Sequence, residues 1–154
     1  MTAQLRTKVP ETEQELEDWR RVHNTVIPTH QLSPDDVRDR VERHRILIAY
    51  VGDVVIGSTT VRPPMDDSTD VIVIARVLEE HRGRGYGSEL YLTALAQAEQ
   101  VDADAAIGTV VLSSNDDGLR FAEQRGFVEV ERYTLPGEAV PWVDLRLARV
   151  TRTS

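Results

Sequence analysis

The chain of 154 residues has no cysteine. Disulfides, thiolate metal sites and a cysteine nucleophile are thereby excluded. Lysine is almost missing as well: of the 18 lysine and arginine residues only Lys8 is a lysine, and that bias points to no chemistry of its own. The histidines, at 23, 30, 44 and 81, are scattered and form no H-E-x-x-H pair, so no metal site is expected. No apolar run approaches the ~20 residues of a membrane span. The opening residues M-T-A-Q-L-R-T-K-V-P have no apolar leader core, which predicts a cytoplasmic protein with no membrane partner. Positive charge is in deficit: the net charge of −8 argues against a nucleic-acid-binding surface. That acidity either steers cationic amines towards the protein or only keeps it soluble.

What is present is concentrated between Val71 and Leu95. Val71 to Val77 is an apolar, β-branched run of the kind a buried strand uses. A basic, glycine-rich turn follows, and from about Gly85 the apolar spacing becomes helical through Leu90, Ala94, Leu95 and Ala98. Strand, turn and helix together make an anion cradle, because the first turn of a helix has free N–H groups. Gly83, Gly85 and Gly87 allow close approach of phosphate oxygens, and Arg82 and Arg84 add charge. A dinucleotide fingerprint fits only in part, since Ser88 stands at the third glycine, although Asp102 and Asp104 lie at a suitable distance.

The remaining elements follow from caps and turns. Gln4 to Val9 alternates as a first strand. Thr12 and Glu15 have capping-box spacing ahead of a helix carrying Leu16, Trp19, Val22 and Val26. Ser33-Pro34-Asp35-Asp36 opens a second helix to about His44. Arg45–Val51 and Val54–Arg62 are strands joined at Gly52-Asp53, and Pro63–Thr69 is a loop. The third helix lasts to about Val101, Ala105–Leu112 is a strand, Asn115 caps a fourth helix through Gln124, and Gly126 ends it. Strands Phe127–Leu135 and Val140–Leu147 flank the Pro136-Gly137 turn. The result is one α/β domain over residues 1–154, ordered βααβββαβαββ, with about seven strands in a mixed central sheet and four helices.

Arg82-Gly83-Arg84-Gly85-Tyr86-Gly87, with Val77 five residues ahead of Arg82, resembles the R-x-x-G-x-G acyl-CoA-binding motif of the GNAT N-acetyltransferase superfamily. Glu79 takes the place of that motif's usual proline. Asn115-x-x-Gly118-x-x-Phe121-x-x-x-x-Gly126-Phe127 is similar to a second segment of the same family, and the element order is that of the GNAT fold over roughly the whole chain.

The resemblance implies an N-acetyltransferase that moves an acetyl group from acetyl-CoA, its co-substrate, to a primary amine by direct attack in a ternary complex. It implies backbone groups of Gly83, Gly85, Tyr86, Gly87 and Ser88 at the pyrophosphate, with Arg82 and Arg84 close by. Val77 and Leu78 would meet the pantetheine arm and thioester from one side, Asn115 and Phe121 from the other. Asn115 serves equally as a plain N-cap. Ala122 stands where the family often has the tyrosine that protonates the leaving thiolate. No base is assigned: Asp70 and Glu79 are the candidates, with Glu80 and His81 in the turn, and each also reads as a solvated loop charge. His23 and His30 flank the loop that borders the acceptor in this family. The alternative function is a non-catalytic acyl-CoA-binding sensor or regulatory module, and a third is a nucleotide-binding domain. A homodimer through an exposed final strand is a further expectation.

Overall fold

Reciprocal caps start the first two helices. Thr12 accepts the N–H of Glu15 at 3.1 Å while the Glu15 carboxylate accepts that of Thr12 at 3.0 Å, and α1 runs Glu13–Val26. Ser33 and Asp36 repeat the exchange at 3.2 and 2.9 Å, Pro34 takes the first helical position, and α2 spans Pro34–Arg43. The structure, a computed structural model, describes residues 4–65 and 69–147. Residues 66–68 of the predicted loop Pro63–Thr69 lie outside the described residues.

The strands are β1 (Leu5–Lys8), β2 (Arg45–Val51), β3 (Val54–Arg62), β4 (Val71–Val77), β5 (Ile107–Leu112), β6 (Phe127–Tyr133) and β7 (Trp142–Leu147). Helix α3 (Tyr86–Val101) joins β4 to β5, and α4 (Asp116–Gln124) joins β5 to β6. One seven-stranded sheet forms in the order β1-β2-β3-β4-β5-β7-β6. Every neighbouring pair is antiparallel except β4 and β5, which run parallel and pair only at Val71/Ile107 and Ile72/Gly108. Beyond that point the two strands part. This is the mixed α/β fold expected from the sequence, with its seven strands and four helices in the expected order.

Two apolar layers enclose the sheet. On one face Val71 and Val73 pack with Ala94 and Ala98 of α3 and with Ala122 and Phe127. Leu90, Ala94 and Ala98 are fully buried, and the two alanines let α3 lie close to the strands. On the other face Trp19 and Val22 of α1 and Val37 of α2 cover Ile46, Ile48 and Tyr50 of β2. Burying a side chain the size of Leu90 contributes about 1.5–3 kcal/mol relative to exposure.

Several boundaries differ from those expected. The strand expected from Ala105 begins at Ile107, and the last two expected strands are shorter, ending at Tyr133 and beginning at Trp142. Prolines explain the last pair: Pro136 and Pro141 lack the N–H a ladder requires, and Gly137 turns with φ +83°. The carbonyl of Pro141 instead accepts the N–H of Ser113 at 2.9 Å. The final strand is not a free edge. β7 lies between β5 and β6, so among the described residues the edges of the sheet are β1 and β6. A dimer through the final strand would have no unpaired backbone to use.

Candidate active site

A cleft of about 500 Å³ occupies the place where β4 and β5 part. Val73, Ala75 and Val77 line it from β4, Thr109 and Val111 from β5, and Asn115, Gly118 and Phe121 from α4 and its cap. The glycine turn and the first turn of α3 close one end.

Strand alternation decides which backbone groups face the gap. The N–H of Leu78 donates to Ile56 O of β3 at 2.9 Å, and that of Val71 donates to Ala106 O on the opposite side, also at 2.9 Å. Even-numbered residues of β4 therefore turn to β3 and odd-numbered ones towards β5. Since the β5 ladder stops at Ile72/Gly108, Ala75 and Val77 present their backbone groups to the opening. Leu78, expected beside the pantetheine arm, is committed to β3, and its side chain is buried under α1. Ala75, which no sequence motif singles out, faces the opening.

At the turn, Gly83 and Gly85 adopt φ +79° and +87°, a region an L side chain occupies only under strain. Gly85 is the N-cap of α3, and the first intrahelical bond runs from Glu89 N to Gly85 O at 3.3 Å. The N–H groups of Tyr86, Gly87 and Ser88 thus have no acceptor from a preceding helical turn and point out of the helix end, a cradle for an anion. Gly87 also has a packing reason, because a Cβ there would stand 3.0 Å from Cε2 of Phe121.

The arginines divide. Arg82 folds back, its Nε donating to Val77 O at 2.9 Å and its Nη1 to Asp117 Oδ2 at 3.0 Å. Arg84 is exposed and does not line the cleft. Its place is taken by Arg125, at the end of α4, whose guanidinium stacks 3.5 Å from the centroid of Phe121, donates to Phe121 O at 3.3 Å, and also reaches the Ser88 hydroxyl. Arg120 lines the cleft as well, 3.7 Å from Asp117. In sequence Arg125 is one basic residue among many; only folding brings it to Ser88. Asn115 caps α4 by accepting from Gly118 N at 3.0 Å and lines the cleft at the same time.

The base candidates do not converge. Asp70 accepts from Nε and Nη2 of Arg146 at 3.0 and 2.9 Å, and seven residues of extended strand, about 23 Å, separate it from Val77. Glu79 is exposed in the short 3₁₀ turn Glu79–His81 and lies outside the cleft lining, whereas His81 lines it. His23 is buried against Trp19, and burial, followed by the nearby Arg76 charge, pushes its pKa down to about 3. His30 is exposed and meets Glu138 Oε1 at 3.3 Å, which joins the α1–α2 and β6–β7 loops. Ala122 lines the cleft but is only 4% exposed within the α3-side core. Tyr91 packs edge-on to Phe121 and Phe127, and burial raises its pKa. Among the described residues no cluster of three or more His, Asp or Glu side chains could hold a metal ion. Among them also, no helix is long and apolar enough to cross a membrane.

Solved structures share this fold. Ard1 from Thermoplasma volcanium superposes with TM-score 0.75 at 18% identity, covering 97% of this chain and 100% of that one. Arabidopsis thaliana Naa50, in complex with a bisubstrate analogue CoA-Ac-MVNAL, gives TM-score 0.72 at 18% identity over 94% and 99%. The Salmonella typhimurium protein yncA, with its cofactor acetyl-CoA, gives 0.73 at 14% over 97% and 96%. At these identities the likeness is one of fold. No curated protein matches the chain in sequence. Residues 10–127 match the acetyltransferase (GNAT) family, a span that includes the parted strands, the glycine turn and α4. The chain belongs to the GNAT acetyltransferase family.

Proposed function

We propose that this chain, as one domain, moves an acetyl group from acetyl-CoA to a primary amine by direct attack within a ternary complex. The observation that carries the reading is the gap between β4 and β5 with the N-terminus of α3 at its mouth. The residues present suit the donor. N–H groups of Tyr86, Gly87 and Ser88 suit the pyrophosphate, with Arg125 beside them. Ala75 and the N–H of Val77, whose carbonyl is held by Arg82, offer strand-type hydrogen bonds to the pantetheine amides, and Asn115 and Phe121 form the other wall.

Acetyl-CoA supplies a thioester carbonyl. The neutral amine forms the new C–N bond to that carbonyl as the C–S bond breaks, the departing thiolate takes up a proton, and the amine nitrogen loses one. Apolar Val73 and Val111 keep bulk water from the reacting atoms, which strengthens polar contacts there. Asp70 lies at the far end of β4, so the proton leaves through water or through His81. With a thiol of pKa near 8.5, departure without a tyrosine at 122 is chemically tolerable.

A second reading has one observation in its favour: Ala122 is buried where an acid is expected and neither carboxylate candidate reaches the cleft. A sensor that binds acyl-CoA without turnover would look like this. Calorimetric titration with acetyl-CoA, then a free-thiol assay on the same sample with a pooled amine library, separates the two. Binding with thiol release is the expected result. Binding without release from any amine would transfer the assignment to the sensor, and absence of binding would overturn both.

A further inference from the structure

The face of the sheet under α1 and α2 carries a buried cationic row. The β3–β4 register sets Ser58 against Arg76, Thr60 against Ile74 and Arg62 against Ile72, so Ser58, Thr60, Arg62 and Arg76 share that face. Arg76 is 8% exposed and lines the cleft, yet among the described residues it has no hydrogen bond or ion pair. Its surroundings are of like charge: burial first, then Arg62 and Arg40, push its pKa down to about 9. Burial likewise lowers Arg62 and Arg40. Ser58 Oγ, Thr60 Oγ1 and Arg62 Nε are buried without partners among the described residues. Asp144 attracts Arg62 without pairing with it.

A guanidinium more than nine-tenths buried with no counter-charge, open only to a cleft, is costly to fold, and folded proteins keep such a group where something else completes the pair. The glycine turn and α3 belong to the opposite face, where Val71 and Val73 pack. Arg76 therefore projects from β4 on the face away from the anion cradle. We propose that Arg76 holds a carboxylate of the amine acceptor, which makes the substrate class an α-amino acid or a closely similar amino carboxylate rather than a polyamine. The planar fork of an arginine suits a carboxylate in two-point contact, and Arg76 is the member of this row that lines the cleft. The carboxylate is unchanged in the reaction; only the amino nitrogen forms a bond to the acetyl carbon as the thioester C–S bond breaks. This inference rests on the acetyltransferase reading.

The test compares kcat/KM for a pool of α-amino acids with that for the matched α-amino amides and for spermidine, in the native protein, Arg76→Met and Arg76→Lys. Acetyl-CoA affinity and thermal midpoint are measured for each protein. The native enzyme is expected to favour the acids by about 10²-fold or more, as sites built around a buried charge do. Arg76→Met should bring that ratio close to one, leave acetyl-CoA affinity within about twofold, and melt no lower than the native protein, because it removes an unpaired charge. Arg76→Lys should recover part of the ratio. Amides or spermidine turned over as well as the acids, with normal acetyl-CoA binding, would overturn the inference and leave the acetyltransferase intact. Failure of acetyl-CoA to bind, or of every amine to react, would overturn the acetyltransferase reading and the inference with it. Should Arg76→Met not fold, the acid-to-amide ratio of the native protein still decides.

Discussion

Arg82 donates from Nε to the carbonyl of Val77, 2.9 Å away. The arginine of the glycine motif is thus a brace between its own turn and the end of β4, and Asp117 holds its other side. Arg82→Ala is expected to weaken acetyl-CoA binding about tenfold or more by loosening the cradle and removing a cation. Asp117→Ala should act far less, because the Arg82–Asp117 pair is partly exposed, at 34% and 58%, and such pairs are worth about 0.2–1 kcal/mol. Calorimetric titration of both variants and their combination measures this.

Gly85 sits at φ +87° with open space where a Cβ would stand, so the obstacle to substitution there is backbone strain and not crowding. Gly85→Asp should cost about 1–2 kcal/mol of stability and abolish acetyl-CoA binding, since it sets a carboxylate at the proposed pyrophosphate site. Circular dichroism melting and titration together check it. A folded variant that binds acetyl-CoA normally would place the donor elsewhere.

Ala122→Tyr probes proton delivery to the thiolate. Ala122 is 4% exposed beside Val73 and Phe127, so overpacking should cost about 1–3 kcal/mol. Turnover is expected to stay within about threefold of the native rate, a thiolate being an adequate leaving group. A rise of about 10²-fold in kcat, the lower end of general-acid assistance, would show instead that the missing tyrosine limits the reaction.

His23 makes stability fall in mild acid. Burial, and then Arg76, lower its folded pKa from 6.5 to about 3. Between those values the unfolded chain binds the proton and the folded one does not, so stability rises with pH across this window and is lost on acidification. The loss amounts to about 2 kcal/mol between pH 6.5 and 5. Burial lowers His44 too, with the same sign. Scanning calorimetry at about pH 7 and pH 5 should show a drop in midpoint that His23→Gln largely removes.

Local chemistry made much of this protein legible before any coordinates. Capping boxes at Thr12/Glu15 and Ser33/Asp36, the glycine turn and the apolar spacing of α3 are interactions over three or four residues, so sequence alone determined the elements, their order and the glycine turn that starts α3. Strand ends were less legible where prolines 136 and 141 cut the ladder short. Tertiary structure decided what depends on contacts between distant residues. It set β7 between β5 and β6 and parted β4 from β5 after two pairs. It turned Leu78 to β3, carried Asp70 to Arg146, and brought Arg125 to Ser88. It also gathered Arg40, Arg62 and Arg76 from α2, β3 and β4 under one roof. No spacing rule encodes that gathering, because strand pairing and helix docking choose the neighbours, and burial makes their shared charge matter.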